Sequence, residues 1–129
     1  MGAAVPLAAG AKIARPQTPV IAVLGDGGLE MGLGELATLR DQTIPVVIVV
    51  LQDESLALIE LKQAQAGLER RGVRLGRSKF EDVAAALGGK GWRVNSRGGF
   101  EAALAAALKE DTFTIIVCEI QVQDYAGKF

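Results

Sequence analysis

The sequence predicts an α/β fold, a three-layer doubly wound and mostly parallel sheet. Three observations carry this. Short apolar runs alternate with segments of helical periodicity. The run Val46 to Leu51 is β-branched and unbroken, as a strand buried on both faces should be. Glycine and proline punctuate the junctions between the segments.

Each element follows from local pattern. Pro6 to Ala14 reads as a small-residue helix with proline near its start, stopped by Arg15-Pro16-Gln17-Thr18-Pro19. Val20 to Leu24 is the first strand. It ends in Gly25-Asp26-Gly27-Gly28 and runs into a helical pattern. Leu33 to Arg40 is a helix with Leu33, Leu36, Ala37 and Leu39 as its apolar positions. Val46 to Leu51 is the second strand. Ser55 is placed to cap a helix running to about Gln65, with Leu58, Ile59 and Lys62 toward its inner side. Gly67 to Arg77 is polar, basic and glycine-punctuated, and reads as a surface loop. Ser78-Lys79-Phe80-Glu81 has capping-box spacing before a helix from Phe80 to Leu87. Gly88, Gly89 and Gly91 end that helix, and Trp92 to Val94 is a short strand. Gly99 to Lys109 is an alanine-rich helix, Thr114 to Val122 the last strand, and Gln123 to Phe129 a tail.

Bulk properties narrow the function. A chain of 129 residues, half of them apolar, is one domain or part of one. Its net charge is −1 and no basic block occurs, so nucleic acid is not an expected partner. The apolar runs are too short to span a bilayer. The opening MGAAVPLAAGAKIAR lacks a basic region ahead of its apolar stretch, which argues against a signal peptide. The single Cys118 excludes an internal disulfide and fits a reducing, cytoplasmic setting. It lies within an apolar run and reads as a small buried hydrophobe. With no histidine, Ser-His-Asp triads, Cys-His pairs and histidine-ligated zinc are excluded. Acid–base work must come from carboxylates, a cofactor or another chain.

The chemistry lies between residues 25 and 56. Asp26 and Asp53 each sit just past an apolar strand, and ligands of an open parallel sheet bind beyond the carboxyl ends of its strands. Both carboxylates are therefore expected at one edge of one sheet. Gly25, Gly27 and Gly28, with the helix N-terminus that follows, favour an anion. Gly25 is read as letting the strand turn, and the amides of Gly27 and Gly28 as donors to phosphate oxygens. Two hard oxygen ligands beside an anion cradle point to a diphosphate bridged by Mg²⁺.

This arrangement resembles the C-terminal, diphosphate- and metal-binding domain of thiamine-diphosphate enzymes. There a Gly-Asp-Gly is followed, some two dozen residues on, by Asn-Asn or Asn-Asp. Carried over, the resemblance implies metal ligation by Asp26, Asp53 and the backbone carbonyl of Ser55. It implies cofactor contacts from Gly25, Asp26, Gly27, Gly28, Asp53, Ser55 and Leu56. MGAAVPLAAGAKIARPQTPVIAVLGDGG, LALIELKQ and RGVRLGRSKFEDVAAALGGKGWRV are similar to the flanking segments, most of all in acetolactate-synthase-like members. Two residues depart from the commoner pattern: Asp53 stands where Asn is usual, although some members carry Asp, and Gln52 stands where the preceding Asn is usual. Asp53 adds a negative charge that Mg²⁺ and the helix amides must offset.

The same resemblance implies a 2-oxo-acid decarboxylating, two-carbon-transferring enzyme whose carbon chemistry is the cofactor's. It assigns no catalytic residue to this chain. The activating glutamate belongs to a pyrimidine-binding domain, expected on another chain or elsewhere in a parent enzyme. The domain read over residues 1–129 begins inside the family's fold, lacking its first strand and helix, so an oligomer is expected. Met1 and Gly2 align with a Met-Gly that approaches the pyrimidine ring, and Glu60 and Lys62 with the substrate side. Glu54 is expected to face solvent. Glu35 has two readings, a partly solvated helix residue or a support for the site.

Two alternatives stand beside this reading. One is a catalytically inactive fragment; the other is a nicotinamide dinucleotide-binding module. Gly32-Leu33-Gly34-Glu35-Leu36-Ala37 also fits the dinucleotide pattern G-x-G-x-x-A, with an acidic residue about 20 positions on. That fingerprint must directly follow a strand, and here Leu29 to Met31 intervene.

Overall fold

The computed structural model describes residues 1–120. Four parallel strands form one sheet in the order β1-β2-β4-β3, with β1 at Ile21–Gly25, β2 at Val47–Gln52, β3 at Lys90–Val94 and β4 at Thr114–Glu119. Among the described residues six helices accompany them, α1 before the first strand and the rest between strands: α1 Ala4–Ala14, α2 Asp26–Glu30, α3 Glu35–Asp41, α4 Ala57–Gln65, α5 Phe80–Ala86 and α6 Arg97–Ala107. The expected tail from Gln123, and the last strand beyond Ile120, lie outside the described residues.

The sheet separates two cores. On one face Val5 and Ala8 of α1, Leu29 of α2, Leu36 and Leu39 of α3, and Phe80 and Ala84 of α5 pack on Ile48, Val50, Ile115 and Val117. On the other, Ala103 and Ala107 of α6 pack on Val47, Val49 and Ile116. Successive residues of β2 enter opposite cores, because side chains alternate across a strand. The run from Val46 is apolar throughout for that reason. These helices on both faces make the expected three layers, with α6 the one helix on its side among the described residues.

Several local expectations are corrected. The helix does not follow Gly25-Asp26-Gly27-Gly28 but starts inside it: Asp26, Gly27 and Gly28 form the first residues of the five-residue α2, with Gly25 as its N-cap. Two glycines in five residues hide such a helix from propensity. Ser55 does not cap α4; its hydroxyl donates to Glu60 Oε2 at 2.7 Å, and Leu56 is the N-cap. Ser78 does not cap α5: the N-cap position falls one residue on, at Lys79, and the Ser78 hydroxyl donates to Glu30 Oε1 at 2.6 Å. The capping residue the sequence reading passed over is Ser96, whose hydroxyl accepts from the Gly99 amide at the start of α6. Leu58 and Ile59 do not face a core: α4 buries no residue, and both are exposed. Among the described residues no helix is long and apolar enough to cross a membrane.

Candidate functional site

An open cleft of about 1180 Å³ lies beyond the carboxyl ends of β1 and β2. It gathers the predicted residues: Gly25, Asp26, Gly27, Gly28, Asp53, Ser55 and Leu56 all line it, as do Met1, Gly2 and Glu60. Strand register explains the convergence. Gly25 of β1 stands opposite Leu51 of β2, so Asp26 and Asp53 leave adjacent strands at neighbouring levels. Lys62 and Glu35 do not line the cleft; Lys62 Nζ donates to Gln65 Oε1 at 3.2 Å on the exposed side of α4.

Asp26 is only 3% exposed, and backbone holds its carboxylate. Oδ1 accepts from the Gly27 amide and Oδ2 from the Glu54 amide, each at 2.8 Å. The second bond stitches the end of β1 to the loop after β2. It requires Glu54 to adopt φ of +58°, a left-handed conformation that costs a side-chain-bearing residue of order 1–2 kcal/mol. Glu54 is exposed, as expected, but its backbone is central to the loop. Asp53 Oδ1 accepts from the Ser55 amide at 3.0 Å, closing a turn two residues on.

Residues 67–77 form the expected surface loop, exposed except at Val73 and Leu75, and the loop returns over this site. Ser55 and Arg74 form an antiparallel bridge, in which Leu56 N–H donates to the Val73 carbonyl at 2.8 Å and Leu75 N–H to the Glu54 carbonyl at 2.9 Å. Val73 is thereby buried. Ser55 occupies a non-hydrogen-bonded position of this bridge, so its own carbonyl takes no part in the pairing and points away from Arg74. Glu60 receives the Ser55 hydroxyl on Oε2 and pairs with Arg70 through Oε1 at 2.9 Å.

The glycines play different parts from those expected. Gly25 has φ of −79°, open to any residue, so the turn does not require it; a Cβ there would project toward the cleft with only the Leu51 carbonyl 3.9 Å away. Gly27 is closely packed: its Cβ would lie 2.8 Å from Leu56 Cδ2 and 3.2 Å from Leu75 Cδ1, side-chain ends that would have to shift to admit it. Its amide is turned onto Asp26 rather than outward. With α2 only five residues long, its macrodipole is small, and the local amides rather than the helix supply any positive field.

The donor set suits a small hard cation that keeps other ligands. Among the described residues no three carboxylate, thiolate or imidazole groups converge. Two carboxylates and one carbonyl are what Mg²⁺ takes when phosphate and water complete its octahedron. The dinucleotide pattern fails on geometry: Gly32 and Gly34 lie between α2 and α3, so a helix and not a strand directly precedes them.

Residues 1–118 match the sequence family described as thiamine pyrophosphate enzyme, C-terminal TPP binding domain. The chain belongs to this family. It is 31% identical over 123 residues to the acetolactate synthase large subunit of Porphyra purpurea, covering 93% of this chain and 21% of that protein. It is 38% identical over 98 residues to a probable acetolactate synthase large subunit of Methanocaldococcus jannaschii, covering 74% of this chain and 17% of that protein. Its fold is similar to that of a thiamine diphosphate-dependent 4-hydroxybenzoylformate decarboxylase of Rhodococcus jostii, with a TM-score of 0.88 and 28% identity over 94% of this chain and 23% of the other. The chain is thus an acetolactate-synthase-like TPP-binding domain, and it spans about a fifth of the length of the curated relatives it matches.

Proposed function

We propose that this TPP-binding domain anchors the cofactor's diphosphate through a Mg²⁺ ion held by Asp26, Asp53 and the carbonyl of Ser55. The observation that carries the reading is the bond from the Glu54 amide to the buried Asp26 carboxylate. It locks the ends of two strands together, so the three candidate donors share one cleft. Two carboxylates facing a diphosphate repel it, and a divalent cation between them turns that repulsion into attraction. Gly25 and Gly28 leave the backbone bare where phosphate oxygens would approach, and Leu56 packs beneath Gly27.

The activity proposed for the parent enzyme is decarboxylation of a 2-oxo acid with transfer of the two-carbon unit, as the acetolactate synthase relatives suggest. When bound, the cofactor supplies the nucleophilic carbon for that chemistry. This chain's own residues bind and orient it. The group that activates the aminopyrimidine ring comes from a pyrimidine-binding domain on a partner chain or the parent polypeptide. Met1, Gly2, Leu7, Leu58 and Ile59, which line the cleft, would give the ring end an apolar approach. The setting proposed is cytoplasmic.

Titration calorimetry tests the anchor. Thiamine diphosphate should bind in the presence of Mg²⁺ and fail to bind in excess chelator. Equal affinity under both conditions would overturn the reading.

A further inference from the structure

Behind the cleft, Arg93 of β3 has an acceptor for every N–H of its guanidinium. Nε donates to Glu81 Oε1 at 2.7 Å. Nη2 donates to Glu81 Oε2 at 2.7 Å and to the Ser78 carbonyl at 3.2 Å. Nη1 donates to Gln52 Oε1 at 2.7 Å and to Glu119 Oε1 at 3.1 Å. These acceptors come from α5, the segment before it, and the carboxyl ends of β2 and β4. A rigid planar fork with all five donors engaged fixes the relative position of everything it touches.

One of those partners is Gln52, which is covalently joined to Asp53. Gln52 is 4% exposed, and both ends of its amide are used: Oε1 accepts from Arg93, and Nε2 donates to the Ser78 carbonyl at 2.9 Å. Its main-chain carbonyl accepts from the Ile120 amide at 3.1 Å. A second arm reaches the other neighbour of Asp53. Glu119 also pairs with Arg77, which lies 3.9 Å from the Glu54 carboxylate. Asp53 is therefore flanked on both sides by residues tied back to one guanidinium. None of Arg93, Gln52, Glu81 and Glu119 lines the cleft.

We propose that Arg93, acting through Gln52, is a positioning residue for the Asp53 loop. The proposal rests on the reading of Asp53 as a metal ligand only for its functional consequence. It accounts for the glutamine that stands where Asn is commoner in this family. An Asn side chain is shorter by one carbon–carbon bond, about 1.5 Å, and would not span from the strand end to both Arg93 and Ser78. The Arg93–Glu81 pair keeps its charges at neutral pH, because their mutual hydrogen bonds hold the Glu81 carboxyl below its ordinary range.

Amide hydrogen exchange on the ligand-free chain tests this. The Glu54 and Ser55 amides report the loop, since they donate to Asp26 and Asp53; the buried strand amides of Val49 and Ile116 are the reference. Gln52→Asn and Arg93→Lys should each lower protection at residues 54 and 55 by about tenfold relative to the strand amides, a coupling in the range of residues sharing one network. The double variant should be little worse than either single one. Unchanged protection in Gln52→Asn, or an equal loss across the strands, would overturn the proposal. Should Arg93→Lys fail to fold, Gln52→Asn decides alone, because it leaves the Arg93–Glu81 pair intact. Titration of Mn²⁺ in the presence of thiamine diphosphate then reads the consequence, with an affinity loss expected in the same variants. A wild-type chain that binds no metal there would overturn the metal reading, while the exchange result would still decide the positioning.

Discussion

At Asp26, burial and hydrogen bonding act together. A carboxylate this buried must be satisfied, and the amides of Gly27 and Glu54 satisfy it. Asp26→Ala should therefore do two things. It strands two amide donors, at a cost of about 1–3 kcal/mol for each that stays buried. It also removes a metal donor, so Mg²⁺-dependent binding of thiamine diphosphate should be lost. Asp53→Asn should keep binding, because Asn retains an oxygen for the Ser55 amide, supplies a ligand and removes a charge beside the diphosphate. Calorimetry with Mg²⁺, paired with thermal melts, separates folding from binding. The assignment fails if Asp53→Asn binds as poorly as Asp26→Ala in folded protein. That the two aspartates share a cleft was legible in the sequence, because each follows an apolar run that had to be a strand. The bond between Asp26 and the Glu54 amide was not legible. It depends on a left-handed glutamate, and no local pattern announces a side-chain-bearing residue in that conformation.

The elements divide by how much of their pattern is their own. The strands were legible because two buried faces leave no room for polar residues. The inward face of α4 was not, because its Leu58 and Ile59 look into a cleft rather than onto the sheet, and periodicity cannot tell those apart. The contact of α5 with β3 carries two predictions. A Cβ on Gly91 would overlap the backbone of Glu81, where nothing flexible can yield. Gly91→Ala should destabilise by about 3 kcal/mol, the upper end for overpacking, measured by denaturant unfolding. An effect within about 0.5 kcal/mol, the scale of a neutral surface change, would mean that the helix slides freely over the strand. The second concerns acid. Glu81 is held below its ordinary value of 4.5, chiefly by its hydrogen bond with Arg93. A depressed folded value means that the unfolded chain takes up the proton first. The stabilisation is therefore complete above about 4.5 and is lost as pH falls through the lower folded value. The stability gap between wild type and Glu81→Gln should be widest near neutrality and shrink below that point. A gap that stays constant down to strongly acidic pH would show that charge on Glu81 contributes nothing.

Across the whole molecule, the two faces of the sheet are unequally covered. Among the described residues four helices pack on one face, while α6 alone covers the other, over β2, β3 and β4. The outer residues of β1 on that side stay bare, with Ile21 45% and Val23 61% exposed. Among the described residues β1 is also an edge strand, paired only with β2, so its outer backbone groups are open to another strand. An exposed apolar edge of this kind is a docking surface or an aggregation site. The apolar walls of the cleft add to it: Leu7, Leu58 and Ile59 are exposed, and α4 buries nothing of its own. Two separate apolar surfaces on so small a body make a monodisperse solution of monomers unexpected. Sedimentation velocity at low micromolar concentration should show self-association, or the chain should precipitate. Replacing Val23 with threonine keeps a β-branched residue while making the bare face polar, and should shift the distribution toward monomer without unfolding the sheet. A compact monomer in the wild-type chain, unchanged by that substitution, would show that the exposed face of β1 engages nothing.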